Sequence, residues 1–455
     1  MTAPPEGQAA QPPTVPDSQR RGHIGLVVAG SLAAGLLSAV LLLVAPFVPA
    51  TEDGITGALL TGFALGWALL AVLSTRLTDQ PQRWALAPAL FFGLTGLALL
   101  TFGETVRGFL NCVWPPAVLA LAVWMFSCTR RRLRSRSRWM LYPIIAVLAL
   151  GSVGGGVETV NEALDAQAYP MPGRLIDVGD HSLHLSCTGS GSPTVVLEPG
   201  SGEMSSNLGW IVQGTTTNTR VCAYDRAGRG WSEPATTAQD GEQIATDLHT
   251  LLQRANEPGP YVLAGHSFGG LYVLAFAARY PDEVAGMVLV DSTAPKPPTG
   301  ETTAPDVTSA TLIAKATALL SIPGRVGVGR LYGLVAFDSL PPRSRDEVRA
   351  GLATAASLRS SMDEFVQANT SMVQAGALTS FVDKPLVVLT AGVGSSAAHV
   401  SAQVRLAMLS TNSMHRTVDG AVHQALVADQ GPASVTTQAI LDVVTAVRTA
   451  TPLVR

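Results

Sequence analysis

Five stretches without a charged side chain dominate the first third of the chain, at residues 24–48, 55–73, 84–102, 109–128 and 139–157. Each is about 19–25 residues, enough for a helix to cross a hydrocarbon core of about 30 Å. The first is too long for a signal-peptide core and more spans follow it. Residues 1–23, rich in Pro, Gln and Thr, read as disordered. The pattern changes near residue 173. Short apolar runs at 174–178, 182–187, 194–198, 221–225, 261–264, 287–290, 386–390 and 415–418 predict strands. Helical signals fall between them at 241–255, 268–280, 399–409 and 433–449, with Pro281 ending the second. Such alternation predicts an α/β domain with a mainly parallel sheet. The chain divides into a disordered 1–23, a membrane domain 24–160, a linker 161–172 and a globular domain 173–455.

Charge orients the spans. Arg20 and Arg21 precede the first, Arg76 and Arg83 lie between the second and third, and Arg130, Arg131, Arg132, Arg134, Arg136 and Arg138 lie between the fourth and fifth. The other two loops carry Glu52 with Asp53, or Arg107 beside Glu104. Basic loops face the cytoplasm, so the N-terminus is cytoplasmic and five crossings put the globular domain outside the cell membrane. Arg20-Arg21 lacks the rest of a twin-arginine export signal. No charged residue lies inside a span, which argues against an ion or proton pathway. Anchoring, or delivery of a membrane-derived substrate, fits better than transport. Pro115-Pro116 predicts a kink in the fourth span.

Formal net charge is −3 and gives no ground for nucleic-acid binding. Cys112 and Cys128 fall in apolar stretches and read as buried small hydrophobes. No C-x-x-C and no Cys/His cluster at zinc spacing occurs, so no metal or cofactor is expected.

The chemistry centres on Gly265-His266-Ser267-Phe268-Gly269, a G-x-S-x-G at a strand-to-helix junction. This is the pattern of a nucleophile elbow, whose sharp turn needs small residues on both sides. Glycine is abundant here, so chance gives such a pentad in roughly one chain in three of this length, and context must support it. The Ser267 hydroxyl needs a base to take its proton. His423 follows the last strand, in Asp419-Gly420-Ala421-Val422-His423. His181, His184 and His249 precede the elbow, His266 points away from the serine, His415 begins a strand and His399 begins a helix.

Together with Leu197-Glu198-Pro199-Gly200-Ser201-Gly202 and Tyr224-Asp225-Arg226-Ala227-Gly228-Arg229-Gly230-Trp231-Ser232, these residues resemble the α/β-hydrolase superfamily. The likeness runs over roughly 172–455 and is greatest to its membrane-anchored, actinobacterial-type esterase, lipase and proline iminopeptidase group. It implies an eight-stranded sheet and a triad of Ser267, His423 and an acid. The loop after the seventh strand, 391–396, holds no carboxylate. Some relatives carry the acid after the sixth strand, which points to Asp291; a helix-capping Asp291, Asp383 as the acid, or a dyad without one are the alternatives. The N–H groups of Phe268 and Ser201 would hold an oxyanion, Pro199 standing where many relatives have histidine. The Asp225-Arg226 turn reads as scaffolding. Cys187 and Cys222 lie on strands that are neighbours in the superfamily's sheet order, which implies a disulfide. Residues 293–380 would be a helical cap, with helices at 312–320, 326–336 and 343–376.

The resemblance therefore implies a metal-free serine hydrolase acting on a small-molecule ester or lipid-like substrate, less readily on an amide. Epoxide hydrolases and dehalogenases of this fold carry Asp at the elbow. A non-catalytic membrane receptor or scaffold that keeps the fold is the alternative.

Overall fold

The computed structural model describes residues 23–134, 136–297 and 307–453. The stretch expected to be disordered lies, except for His23, outside the described residues. Two compact units emerge, the first running to Pro49 and over Asp53–Val153, the second holding Ala50–Glu52 and Gly154–Arg455.

The first unit is helical: α1 (Ile24–Val44), α2 (Glu52–Leu77), α3 (Leu86–Phe102), α4 (Glu104–Arg132) and the start of α5 (Arg138–Ala168). Among the described residues, these five are long and apolar enough to cross a membrane, α3 together with the short turn before it. Side chains such as Leu36, Leu41, Leu94 and Val147 are exposed, as a lipid-facing surface requires. Small residues bring α1 and α2 into backbone contact: a Cβ on Gly62 would lie 2.3 Å from the Ala39 amide. Pro115 and Pro116 lie within α4 without ending it. The last helix, α5, runs on to Ala168, through most of the stretch expected as a linker.

The second unit is built on eight strands in the order β1-β2-β4-β3-β5-β6-β7-β8. They are β1 (Arg174–Asp177), β2 (Ser182–Thr188), β3 (Val195–Glu198), β4 (Val221–Tyr224), β5 (Tyr261–His266), β6 (Val284–Val290), β7 (Leu386–Ala391) and β8 (Ser413–Val418). β2 is antiparallel to both neighbours and every other pairing is parallel. The central strands are apolar along their whole length because both faces are covered. Val196, Leu263, Leu289 and Val388 face α7 (Gly241–Ala255), α8 (Gly269–Arg279) and Leu406 of α13 (Ala397–Ala407). On the opposite face, Leu197, Ala264, Val290 and Leu389 pack on α6 (Gly209–Thr215), α14 (Ala425–Ala428) and α15 (Gln430–Thr449). Successive side chains alternate between the two cores, so each strand holds helices on both faces.

The insertion after β6 is helical in its described part: α9 (Val307–Ser321), α10 (Val328–Gly333), α11 (Pro342–Leu352) and α12 (Ala355–Ala375). The continuous helix expected over 343–376 is two helices. Thr354 breaks it by adopting an extended backbone and accepting a hydrogen bond from the Ser357 amide, an N-cap that starts α12 afresh. Cys187 and Cys222 are directly paired across β2 and β4 and form a disulfide.

Candidate active site

Ser267 follows β5 with φ 53°, a left-handed conformation unusual for a residue with a side chain. Its N–H donates to Val290 O at 3.0 Å and its carbonyl accepts from Thr293 N at 3.0 Å, so β6 holds the turn open. The flanking glycines are required sterically. A Cβ on Gly265 would stand 2.5 Å from Gly269 O, and one on Gly269 would stand 2.4 Å from Glu198 O. Both clashes are with backbone, which cannot swing aside.

Asp291 directly follows β6, also at positive φ (44°), and is 3% exposed. Its Oδ2 meets His423 Nδ1 at 2.6 Å. Its Oδ1 accepts the Ala391 N–H at 3.1 Å and lies 2.8 Å from His399 Nε2. Burial works against charge on this carboxyl, but the donors from His423, His399 and Ala391 outweigh it and hold its pKa down at about 2. With Nδ1 committed to Asp291, the imidazole of His423 leaves Nε2 as its acceptor nitrogen.

Ser201 and Phe268 lie on the turns after β3 and β5. Among the described residues, neither of their N–H groups has a hydrogen-bond acceptor. The turn carrying Ser201 is held by a buried charge quartet. The Arg226 guanidinium donates to Glu198 at 2.7 Å, to Glu364 at 2.9 Å and to the carbonyls of Pro199 and Gly200 at 2.7 Å each. Glu364, on α12 of the insertion, also accepts from Ser201 Oγ at 3.0 Å and Gly202 N at 3.2 Å, and pairs with Arg229 at 3.2 Å. Glu364 pairs with both guanidiniums, as buried ions require, whereas burial pushes the Glu198 carboxyl up to about 7. Burial opposes charge on Glu364, but Arg226 and Arg229 hold its pKa below the usual glutamate range.

His423 and Asp291 are thus in contact, while Ser267, Phe268 and Ser201 stand on the neighbouring turns at the carboxyl ends of β5 and β3, where α/β sheets gather their ligands. The sequence does not point to His399, set aside as a helix start, to Glu203, which accepts the Gly200 N–H and a hydrogen bond from Gln424, or to Glu364. The last comes from the insertion, and no local spacing links it to the turn it binds.

Residues 193–309 match the α/β-hydrolase fold family. With its mostly parallel eight-stranded sheet, the second unit has an α/β-hydrolase fold. An uncharacterized protein of Schizosaccharomyces pombe is 32% identical over 28% of this chain and 29% of its own length. A 2-hydroxymuconate semialdehyde hydrolase of Pseudomonas sp. is 30% identical over 28% of this chain and 45% of its own. The chain thus spans less than half of either relative. Among solved structures, the Cif epoxide hydrolase from Acinetobacter nosocomialis is 15% identical, with a TM-score of 0.49 over 63% of this chain and 96% of that one. At its elbow this chain carries Ser267.

Proposed function

We propose that this protein is a membrane-anchored serine hydrolase that cleaves carboxylic esters through an acyl-enzyme. The observation that carries the reading is the 2.6 Å contact between His423 and Asp291, together with an elbow serine held at positive φ. Ser267 Oγ attacks the ester carbonyl while His423 Nε2 takes its proton. The same proton passes to the leaving alcohol, and water, activated in turn by His423, releases the acid and restores the serine. Asp291 holds the productive tautomer and stabilises the imidazolium. The N–H groups of Ser201 and Phe268 are aimed at the oxyanion. The contact of Asp291 with His423 supports this reading over a non-catalytic receptor or scaffold.

The test is hydrolysis of p-nitrophenyl esters of graded chain length by the full-length protein. Ser267→Ala and His423→Ala should each lower turnover by about 10³-fold or more. Unchanged turnover in Ser267→Ala would overturn the reading. The five apolar helices and the basic alternate loops support anchoring with the hydrolase outside. In a Cys112→Ser/Cys128→Ser background, a membrane-impermeant maleimide added to intact cells should label Thr451→Cys and spare Asp79→Cys; the reverse pattern would invert the topology.

A further inference from the structure

Beneath the site lies a buried pair that the proposed chemistry does not use. His266 is 2% exposed and Glu203 4%. Glu203 Oε2 accepts the Gly200 N–H at 2.5 Å, and Oε1 accepts from Gln424 Nε2 at 2.8 Å. Both carboxylate oxygens lie 3.1 Å from His266 Nδ1. On the far side of the ring, His266 Nε2 is 3.3 Å from the carbonyl oxygen of His423.

These partners decide the protonation state. A carbonyl only accepts, and each oxygen of Glu203 is already accepting an N–H, so neither end of the ring faces a donor. Both ring nitrogens are therefore placed to donate, the arrangement of an imidazolium. Burial alone would discharge it, yet the charge of Glu203 raises its pKa, and His266 with Arg226 lowers that of Glu203. Asp291 adds to the attraction on His266. Space is reserved for the pair as well: a Cβ on Gly200 would lie 2.9 Å from both Glu203 Oε2 and His266 Nδ1.

We propose that His266 and Glu203 form a buried imidazolium–carboxylate brace that fixes the turn carrying Ser201, the elbow and the histidine loop relative to one another. Gly200 ties in the first, His266 belongs to the second, and Gln424 with the His423 carbonyl ties in the third. Both are positioning residues. Their catalytic consequence rests on the serine-hydrolase reading, whereas their charge state does not.

The experiment uses full-length protein with nitrogen-15-labelled histidine at about pH 8, where an unperturbed imidazole is neutral. His266 should carry protons on both nitrogens, and so should His184, whose Nδ1 faces Asp225 at 2.8 Å and whose Nε2 faces the Pro172 carbonyl. His266→Asn should remove one such signal and His184→Asn the other; a wild-type His266 with a single protonated nitrogen overturns the proposal. Glu203→Gln should neutralise the ring and slow ester turnover by about 100-fold, with KM within about threefold. If Glu203→Gln does not fold, Gln424→Ala removes one strut without stranding a charge and should slow turnover about tenfold. Full turnover in the folded variant overturns the brace. Should the wild type hydrolyse no ester, the functional reading fails while the nitrogen spectrum still decides the charge.

Discussion

Replacing Asp291 by Asn isolates what the acid does, because the amide keeps the shape and loses one acceptor. Asp291 Oδ1 accepts from Ala391 N and faces His399, while Oδ2 faces His423 Nδ1. In the Asp291→Asn variant the remaining oxygen is best placed at the Oδ1 position, since rotating the amide would leave the buried Ala391 N–H against another donor, at about 1–3 kcal/mol. The amide nitrogen then faces His423 Nδ1, which must accept. Its proton moves to Nε2, the position that has to receive the serine proton. The base is thereby protonated on the wrong nitrogen, and the counter-charge for the imidazolium is gone. Together these losses should lower kcat by about 10³–10⁴-fold, or about 4–5 kcal/mol of barrier. Stopped-flow hydrolysis of p-nitrophenyl acetate, with Tm measured alongside, reads the effect. A variant that folds normally and stays within about threefold of wild type would refute Asp291 as the acid.

The same carboxyl predicts a pH effect on stability. Its pKa is lowered in the fold from 3.8 to about 2, so its contribution is fully present above pH 3.8 and is lost as pH falls through about 2. Asp291→Asn should therefore flatten the acid limb of a stability–pH curve by no more than about 2 kcal/mol over that window, and an unaltered limb would count against the hydrogen bonding described. Cys187→Ala/Cys222→Ala opens a loop of sequence separation 35, at a cost of roughly 4 kcal/mol. By thermal scanning the hydrolase transition should drop by about 6 °C; an unchanged transition would show that the disulfide adds nothing. Glu364→Gln takes a counter-charge from Arg226 and Arg229, which should destabilise the domain by about 3 kcal/mol in urea, and a neutral outcome would mean that Glu364 does not compensate the two guanidiniums.

Much of the fold is legible in the sequence because it follows from local pattern. The apolar runs of β3 to β7 mark strands buried on both faces, and the helical signal over 241–255 coincides with α7, which the structure caps with Asp240. Boundaries blur where a single polar residue decides, as at Thr354, or where a helix outruns its apolar stretch, as α5 does after Val157. In the site, Ser267 and His423 are carried by motif and position, and Asp291 by the family resemblance. Glu203, Glu364 and His399 are not legible at all. Each acts through a partner far away in the chain: Gln424 for Glu203, Arg226 for Glu364 and Asp291 for His399. Such contacts leave no spacing to read.

The account stands most directly on the reactivity of one hydroxyl. Full-length protein should be treated with a fluorophosphonate, digested and examined by mass spectrometry. The account predicts a single phosphonyl adduct, on the peptide containing Ser267, formed in the wild type and absent from Ser267→Ala. No adduct in the folded wild type, or equal labelling of Ser267→Ala, would contradict it.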